Sequence, residues 1–199
     1  MECTLGGGVV RGQMWEGEGD LVLLVHDEGA DLDAWGDLPI ELAADGYRVV
    51  AIDLPGHGLS DDPWDATVFA REAPSLVAAM RRDRGGRTFL IGAGSIVPAL
   101  GAAAPDALVA FSPRPGPEWT SERTGVPCLI LSGSADPDAA AATDRYFRGR
   151  SGWTVVSGFG VPEQGTDLLA TRWAGHAVEQ TLAFLRDYRT PPQEGDSEA

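Results

Sequence analysis

Short apolar runs alternate along the chain with longer stretches in which apolar residues recur three or four positions apart. That alternation predicts strands joined by crossover helices. Strands are expected over residues 9–15, 21–25, 48–53, 88–91, 107–111, 128–131 and 153–156, and helices over 38–45, 68–82, 96–104, 139–147 and 174–188. The interior strand runs are almost wholly apolar, as strands covered on both faces must be. In the last helix Val178, Leu182 and Leu185 share one face while Glu179, Arg186 and Asp187 share another. The fold class is therefore α/β: three α/β/α layers around a mostly parallel sheet. Residues 1–189 are expected to form one domain, and 190–199, with two prolines and several acidic or amide residues, a disordered tail. Ligands of such a sheet bind beyond the carboxyl ends of the strands. The loops of interest follow Val25, Asp53, Ile91, Leu131 and Val156.

Charge narrows the partners. Fifteen basic against 30 acidic residues leave a net charge of −15, so nucleic acid and anionic membrane surfaces meet a repulsive field. All the basic residues are Arg, and Lys and Asn are absent, a codon signature of a GC-rich genome that strips Arg abundance of functional meaning. Cys3 and Cys128 alone cannot build a disulfide framework, and the expected location is a reducing cytoplasm. The longest uncharged stretch, residues 88–105, is broken by Gly92, Gly94, Pro98, Gly101 and Pro105. Strand, turn and helix are expected there, not a membrane span.

The segments LVLLVHDEGADLDAW and GYRVVAIDLPGHGLSD carry a more specific signal. With Val25-His26 ending one strand and Asp53-Leu54-Pro55-Gly56-His57-Gly58-Leu59-Ser60 following another, the chain resembles the α/β-hydrolase fold superfamily from about Val9 to Tyr188. FLIGAGSIVPAL resembles the strand, nucleophile elbow and helix of that family. PCLILSGSADP resembles the strand bearing its catalytic acid, and WTVVSGFGVPEQGTDLLA the last strand and histidine loop. The stretch between Phe111 and Pro127 is too short for a cap, which implies a minimal member.

The chemistry of that family needs a nucleophile on a sharp strand-to-helix turn, a histidine to take its proton and an acid to orient the histidine. The resemblance places Gly94 at the nucleophile, Asp136 at the acid and Gln164 at the histidine. Glycine has no side chain to attack with, and glutamine exchanges no proton at neutral pH. Shifting the register by one makes Ser95 an alternative nucleophile, with Val97 then crowding the helix–strand approach. His26 matches a strand-end position that shapes the oxyanion loop, His57 lies inside the turn motif, and His176 lies near the start of the last helix. Asp27 and Glu28 stand where a developing oxyanion would need donors.

Acids also follow the other strands: Asp31 and Asp33, then Asp61, Asp62 and Asp65, then Asp136 and Asp138. A cleft rimmed by them would favour neutral or cationic ligands. Asp27, Asp31 and Asp33 match a calcium loop only in part, lacking its glycine and terminal glutamate, so no metal is expected. No cofactor is expected either. Trp35 and Trp64 are candidates to line an apolar pocket with His26, Asp27, Glu28 and Ser95. Three readings follow: a pseudoenzyme binding a small neutral or cationic ligand or a protein partner; a cyclase or lyase using the same cleft; or an esterase or thioesterase using Ser95, Asp136 and His176.

Overall fold

Leu21–Val25, Arg48–Ile52 and Ala107–Phe111 are buried at every residue, which requires cover on both faces of the sheet they belong to. The computed structural model describes residues 1–5, 7–84, 86–116, 119, 121 and 125–189. Its strands are β1 (Glu2–Leu5), β2 (Gly8–Trp15), β3 (Leu21–Val25), β4 (Arg48–Ile52), β5 (Thr88–Ala93), β6 (Ala107–Phe111), β7 (Cys128–Gly133) and β8 (Thr154–Phe159). They form one eight-stranded sheet in the order β1-β2-β4-β3-β5-β6-β7-β8. β2 runs antiparallel to both β1 and β4, and all other pairs are parallel. The helices are α1 (Leu38–Ala44), α2 (Ala66–Arg84), α3 (Val97–Ala102), α4 (Pro137–Arg148) and α5 (Ala174–Arg186).

Side chains of a strand alternate between faces, and the core divides accordingly. Leu21, Leu23 and Val25 of β3 pack with Phe69 and Val77 of α2, Val97 and Leu100 of α3 and Tyr146 of α4. Val22 and Leu24 pack with Leu38 and Leu42 of α1 and Ala177 and Leu185 of α5. The architecture is the expected α/β/α sandwich of the α/β-hydrolase type. No cap domain rises between β6 and β7 among the described residues.

Several boundaries differ from expectation. β1 is not among the expected strands, because the alternation of Glu2, Cys3, Thr4 and Leu5 is only four residues long; pairing with β2 makes it a strand. β5 and β7 each run two residues past the expected end, through glycines that the ladder holds extended. β8 lies further along the chain than 153–156, because its ladder with β7 continues through Ser157 and Gly158 to Phe159. The helix expected at 96–104 begins as a 3₁₀ turn, Gly94–Ile96, before α3. The uncharged stretch 88–105 is thus strand, turn and helix, and no described helix is long and apolar enough to cross a membrane. The expected tail, residues 190–199, lies outside the described residues.

Candidate functional site

The turn between β5 and α3 lies at the carboxyl edge of the sheet, with β3 and β6 on either side of β5. Its first residue, Gly94, has φ +62°, a left-handed conformation that costs glycine least. A Cβ there would fall on the carboxylate of Asp27, inside van der Waals contact with Oδ1, Oδ2 and Cγ. The space of the residue-94 side chain is already filled from the neighbouring strand.

Asp27 is held there from several directions. Oδ1 accepts from the Ser95 amide at 2.8 Å, the Ser95 hydroxyl at 2.9 Å and its neighbour's amide, Glu28 N, at 2.9 Å. Oδ2 pairs with the guanidinium of Arg114, whose own amide donates to the Gly94 carbonyl at 3.0 Å. The amide after the elbow residue and one from the loop following β3 are the two donors that stabilise an oxyanion in acyl transfer. Here both converge on one oxygen of an internal carboxylate. Ser95 itself is exposed at the turn.

Gln164 sits at the start of a 3₁₀ turn, Gly165–Ala170. Its Nε2 donates to the carbonyls of Gly133 and Pro162, each at 3.0 Å, and its Oε1 lies 3.4 Å from the Ser132 hydroxyl. The side chain ties its loop to the end of β7. A Cβ added to Gly165 would lie 3.7 Å from the Ala93 Cβ, so this loop abuts the elbow strand. Asp136 is the N-cap of α4, its Oδ1 accepting from Asp138 N at 2.9 Å and Ala139 N at 3.2 Å, a bonding pattern that completes a helix terminus.

The structure does not join Ser95, Asp136 and His176 by hydrogen bonds. The Ser95 hydroxyl donates to Asp27, Asp136 caps α4, and His176 projects from α5 to Gln180 at 2.8 Å. Gly94, Ser95, Asp27, Glu28 and Arg114 are brought together, with the Gln164 loop alongside. Arg114 escaped the sequence reading because Arg was discounted as compositional. Its place after β6, with its amide on the Gly94 carbonyl and its guanidinium on Asp27, marks it.

His26 is fully buried. Its Nε2 accepts from Leu54 N at 3.0 Å, so Nδ1 carries the proton and donates to the Asp27 carbonyl at 2.8 Å. The ring thereby helps set the backbone from which the Asp27 carboxylate projects. Burial, the largest influence, pushes the His26 pKa below its ordinary 6.5. Because the unfolded chain then binds the proton more readily, the stability tied to neutral His26 is present above pH 6.5 and lost as pH falls toward the lower folded value. Urea unfolding is expected to show stability declining from pH 7 to pH 5.5, with a shallower decline in His26→Asn. An unchanged slope in that variant would remove His26 as the cause.

The turn motif after β4 is scaffolding for the same loop. Asp53 accepts from Leu32 N at 2.8 Å and Leu59 N at 2.9 Å, and Gly58, at φ +50°, leaves room for that carboxylate. His57 receives Gly29 N on Nε2 at 3.0 Å, joining the loops after β3 and β4.

Trp35 is fully buried, edge-on to Phe111 at 5.5 Å, and lies under a groove of about 520 Å³ between α1 and α5 whose lining includes Leu38 and Val178 but none of Asp27, Glu28 and Ser95. Trp64 is half-buried between His57 and Phe69. Both stabilise the core under their loops. The acidic rim is largely local bonding: Asp31 caps a 3₁₀ turn, Asp65 caps α2, and Asp61 pairs with Arg11 at 2.8 Å. Asp27 turns to the elbow while Asp31 turns to its own backbone, so the partial calcium-loop spacing does not gather into a site.

A family model described as alpha/beta hydrolase fold matches residues 20–93. Solved structures similar over nearly the whole chain include alpha/beta hydrolase domain-containing protein 10 from mouse (TM-score 0.73, 9% identity, 94% of this chain and 96% of that one). An esterase from Exiguobacterium antarcticum (0.73, 12%, 93% and 98%) and an enol-lactonase from Burkholderia xenovorans (0.69, 15%, 94% and 100%) are also similar. A curated relative, the dihydrolipoyllysine-residue acetyltransferase component of the acetoin cleaving system of Cupriavidus necator, is 44% identical over 57 residues. That match spans 29% of this chain and only 15% of the relative. These likenesses show the α/β-hydrolase fold.

Proposed function

We propose that this chain is a non-hydrolytic protein of the α/β-hydrolase fold, a pseudoenzyme whose nucleophile pocket is closed from within. The observation that carries the reading is the Asp27 carboxylate, which takes the space of the residue-94 side chain and the amides of Ser95 and Glu28. A carboxylate in that place repels the negative charge that acyl transfer develops and occupies its donors. Gln164 at the histidine position adds a second loss, since it offers no proton acceptor of suitable basicity. Asp136 retains only a capping role. With catalysis gone, the face around Glu28, Ser95 and Arg114 is left for binding, and a small neutral or cationic ligand or a protein partner suits a chain of charge −15. Neither Cys3 nor Cys128 is joined in a disulfide, in keeping with a reducing, cytoplasmic setting.

The test is turnover of p-nitrophenyl acetate and a thioester analogue by wild type, Ser95→Ala and His176→Ala. Equal background rates in all three are expected. A wild-type rate at least about tenfold above Ser95→Ala would show a working serine and end this reading.

A further inference from the structure

We propose that the chain forms a two-fold dimer in which β8 pairs antiparallel with β8 of a second copy. β8 ends the sheet, with only β7 beside it among the described residues. Cys128 N donates to Trp153 O at 2.9 Å and Ser134 N to Phe159 O at 2.7 Å. In a parallel ladder the residues facing one neighbour alternate with those facing the other way. The odd-numbered residues from 153 to 159 therefore serve β7, and Thr154, Val156 and Gly158 direct their amides and carbonyls outward.

These free groups define their own partner. With Val156 opposite Val156 of the second copy, Thr154 lies opposite Gly158 of that copy and the reverse. Each such pair exchanges two bonds, giving about six across the axis. One register satisfies every free group on both edges, the self-complementarity that a two-fold contact demands.

The side chains agree. Exposed sheet edges are normally guarded by charge, proline or a bulge. β1, at the other edge, carries Glu2, paired with Arg11 on β2. β8 reads TVVSGF, without charge or proline, and exposes Val155 and Val156 at 37% and 46%, next to Trp153 at 59%. On one face, Thr154, Val156 and Gly158 floor a groove of about 470 Å³ walled by Ala140, Thr143 and Phe147 of α4. Phe147 is itself exposed.

The self-matching register selects a second copy as the occupant, and charge is compatible with it. α4 carries Asp138 in its first turn and Arg145 and Arg148 in its last, Arg148 being paired with Asp144 of the groove wall and Arg145 with the Pro115 carbonyl. The axis sets the two α4 helices antiparallel, with the basic end of one toward the acidic end of the other. The two β7 strands would lie about 14 Å apart, three strand spacings. The helices packed on them would then meet through long side chains such as Phe147 and Arg148.

The experiment is sedimentation equilibrium of the full chain from about 1 to 200 µM, beside Val156→Pro and Val156→Lys. Proline at 156 removes an outward N–H and leaves the β7 ladder intact; lysine supplies the missing guard charge. Wild type is expected to reach twice the monomer mass, and both variants to weaken the dimer at least about tenfold. If Val156→Pro is misfolded by circular dichroism, Val156→Lys decides. Amide exchange at Thr154, Val156 and Gly158 should slow with wild-type concentration. A wild type monomeric throughout overturns the proposal, whether the β8 amides exchange fast, a bare edge, or slowly, an edge covered by another segment of the same chain. So does a dimer that both folded variants keep at full strength.

Discussion

Gly94→Ser is expected to lower the unfolding free energy by about 3 kcal/mol or more, but by only about 1 kcal/mol when Asp27→Gly is already present. Two costs are combined in the native background. Placing a side chain at φ +62° costs on the order of 1 kcal/mol. Displacing the Asp27 carboxylate costs more, because it breaks charge-assisted bonds worth about 1.5–3 kcal/mol each, partly regained in water. Removing Asp27 first eliminates the overlap and leaves the backbone cost. The cycle of wild type, two single variants and the double variant should thus show a coupling of about 2 kcal/mol, within the range for residues in contact. Additive costs would mean that Asp27 does not fill that space.

The second large effect is on activity. A serine at position 94 with a histidine at position 164 rebuilds the side chains of a triad on this register, yet that pair of changes is expected to leave ester turnover at background. The new hydroxyl and Asp27 compete for one volume, and the two amides remain taken. Adding Asp27→Gly frees both, and turnover of p-nitrophenyl acetate should rise at least about 10²-fold over wild type, the scale that oxyanion donors alone contribute. Both capping bonds of Asp136 go to Oδ1, so capping does not itself consume Oδ2, the oxygen an orienting acid would use in that variant. Activity in the double variant without Asp27→Gly would show that the carboxylate moves aside freely.

The layers, and the strand-to-helix turn at Gly94, were legible in the chain because apolar periodicity reports burial directly. β3 and β6 are solid apolar runs and β4 is apolar after Arg48, and they sit where those runs predict, β4 ending one residue early. β1 and the far end of β8 were not legible, since polar edge residues become strands only through a neighbour's hydrogen bonds. At the site, Gly94 and Gln164 stood out as residues unable to perform the expected chemistry. For Asp27 the sequence marks only an acidic side chain after β3, and does not show that its carboxylate bonds Ser95 and Arg114. Its carboxylate and the elbow are 67 positions apart, from Asp27 to Gly94, and meet only because β3 and β5 are neighbours in the sheet. Arg114 was hidden both by an Arg-only basic composition and because its partner, Asp27, lies in the loop after β3. Trp35 shows what position in a loop leaves open: the short 3₁₀ turn that carries it folds the ring inward against Phe111, beneath a groove between α1 and α5 and not one lined by Asp27 or Ser95.

The closed pocket is tested most directly by covalent labelling with a fluorophosphonate probe, read by intact mass. No adduct is expected on wild type or on Gly94→Ser with Gln164→His, and one adduct at position 94 once Asp27→Gly is added. A stoichiometric adduct on Ser95 of the wild-type protein would contradict it.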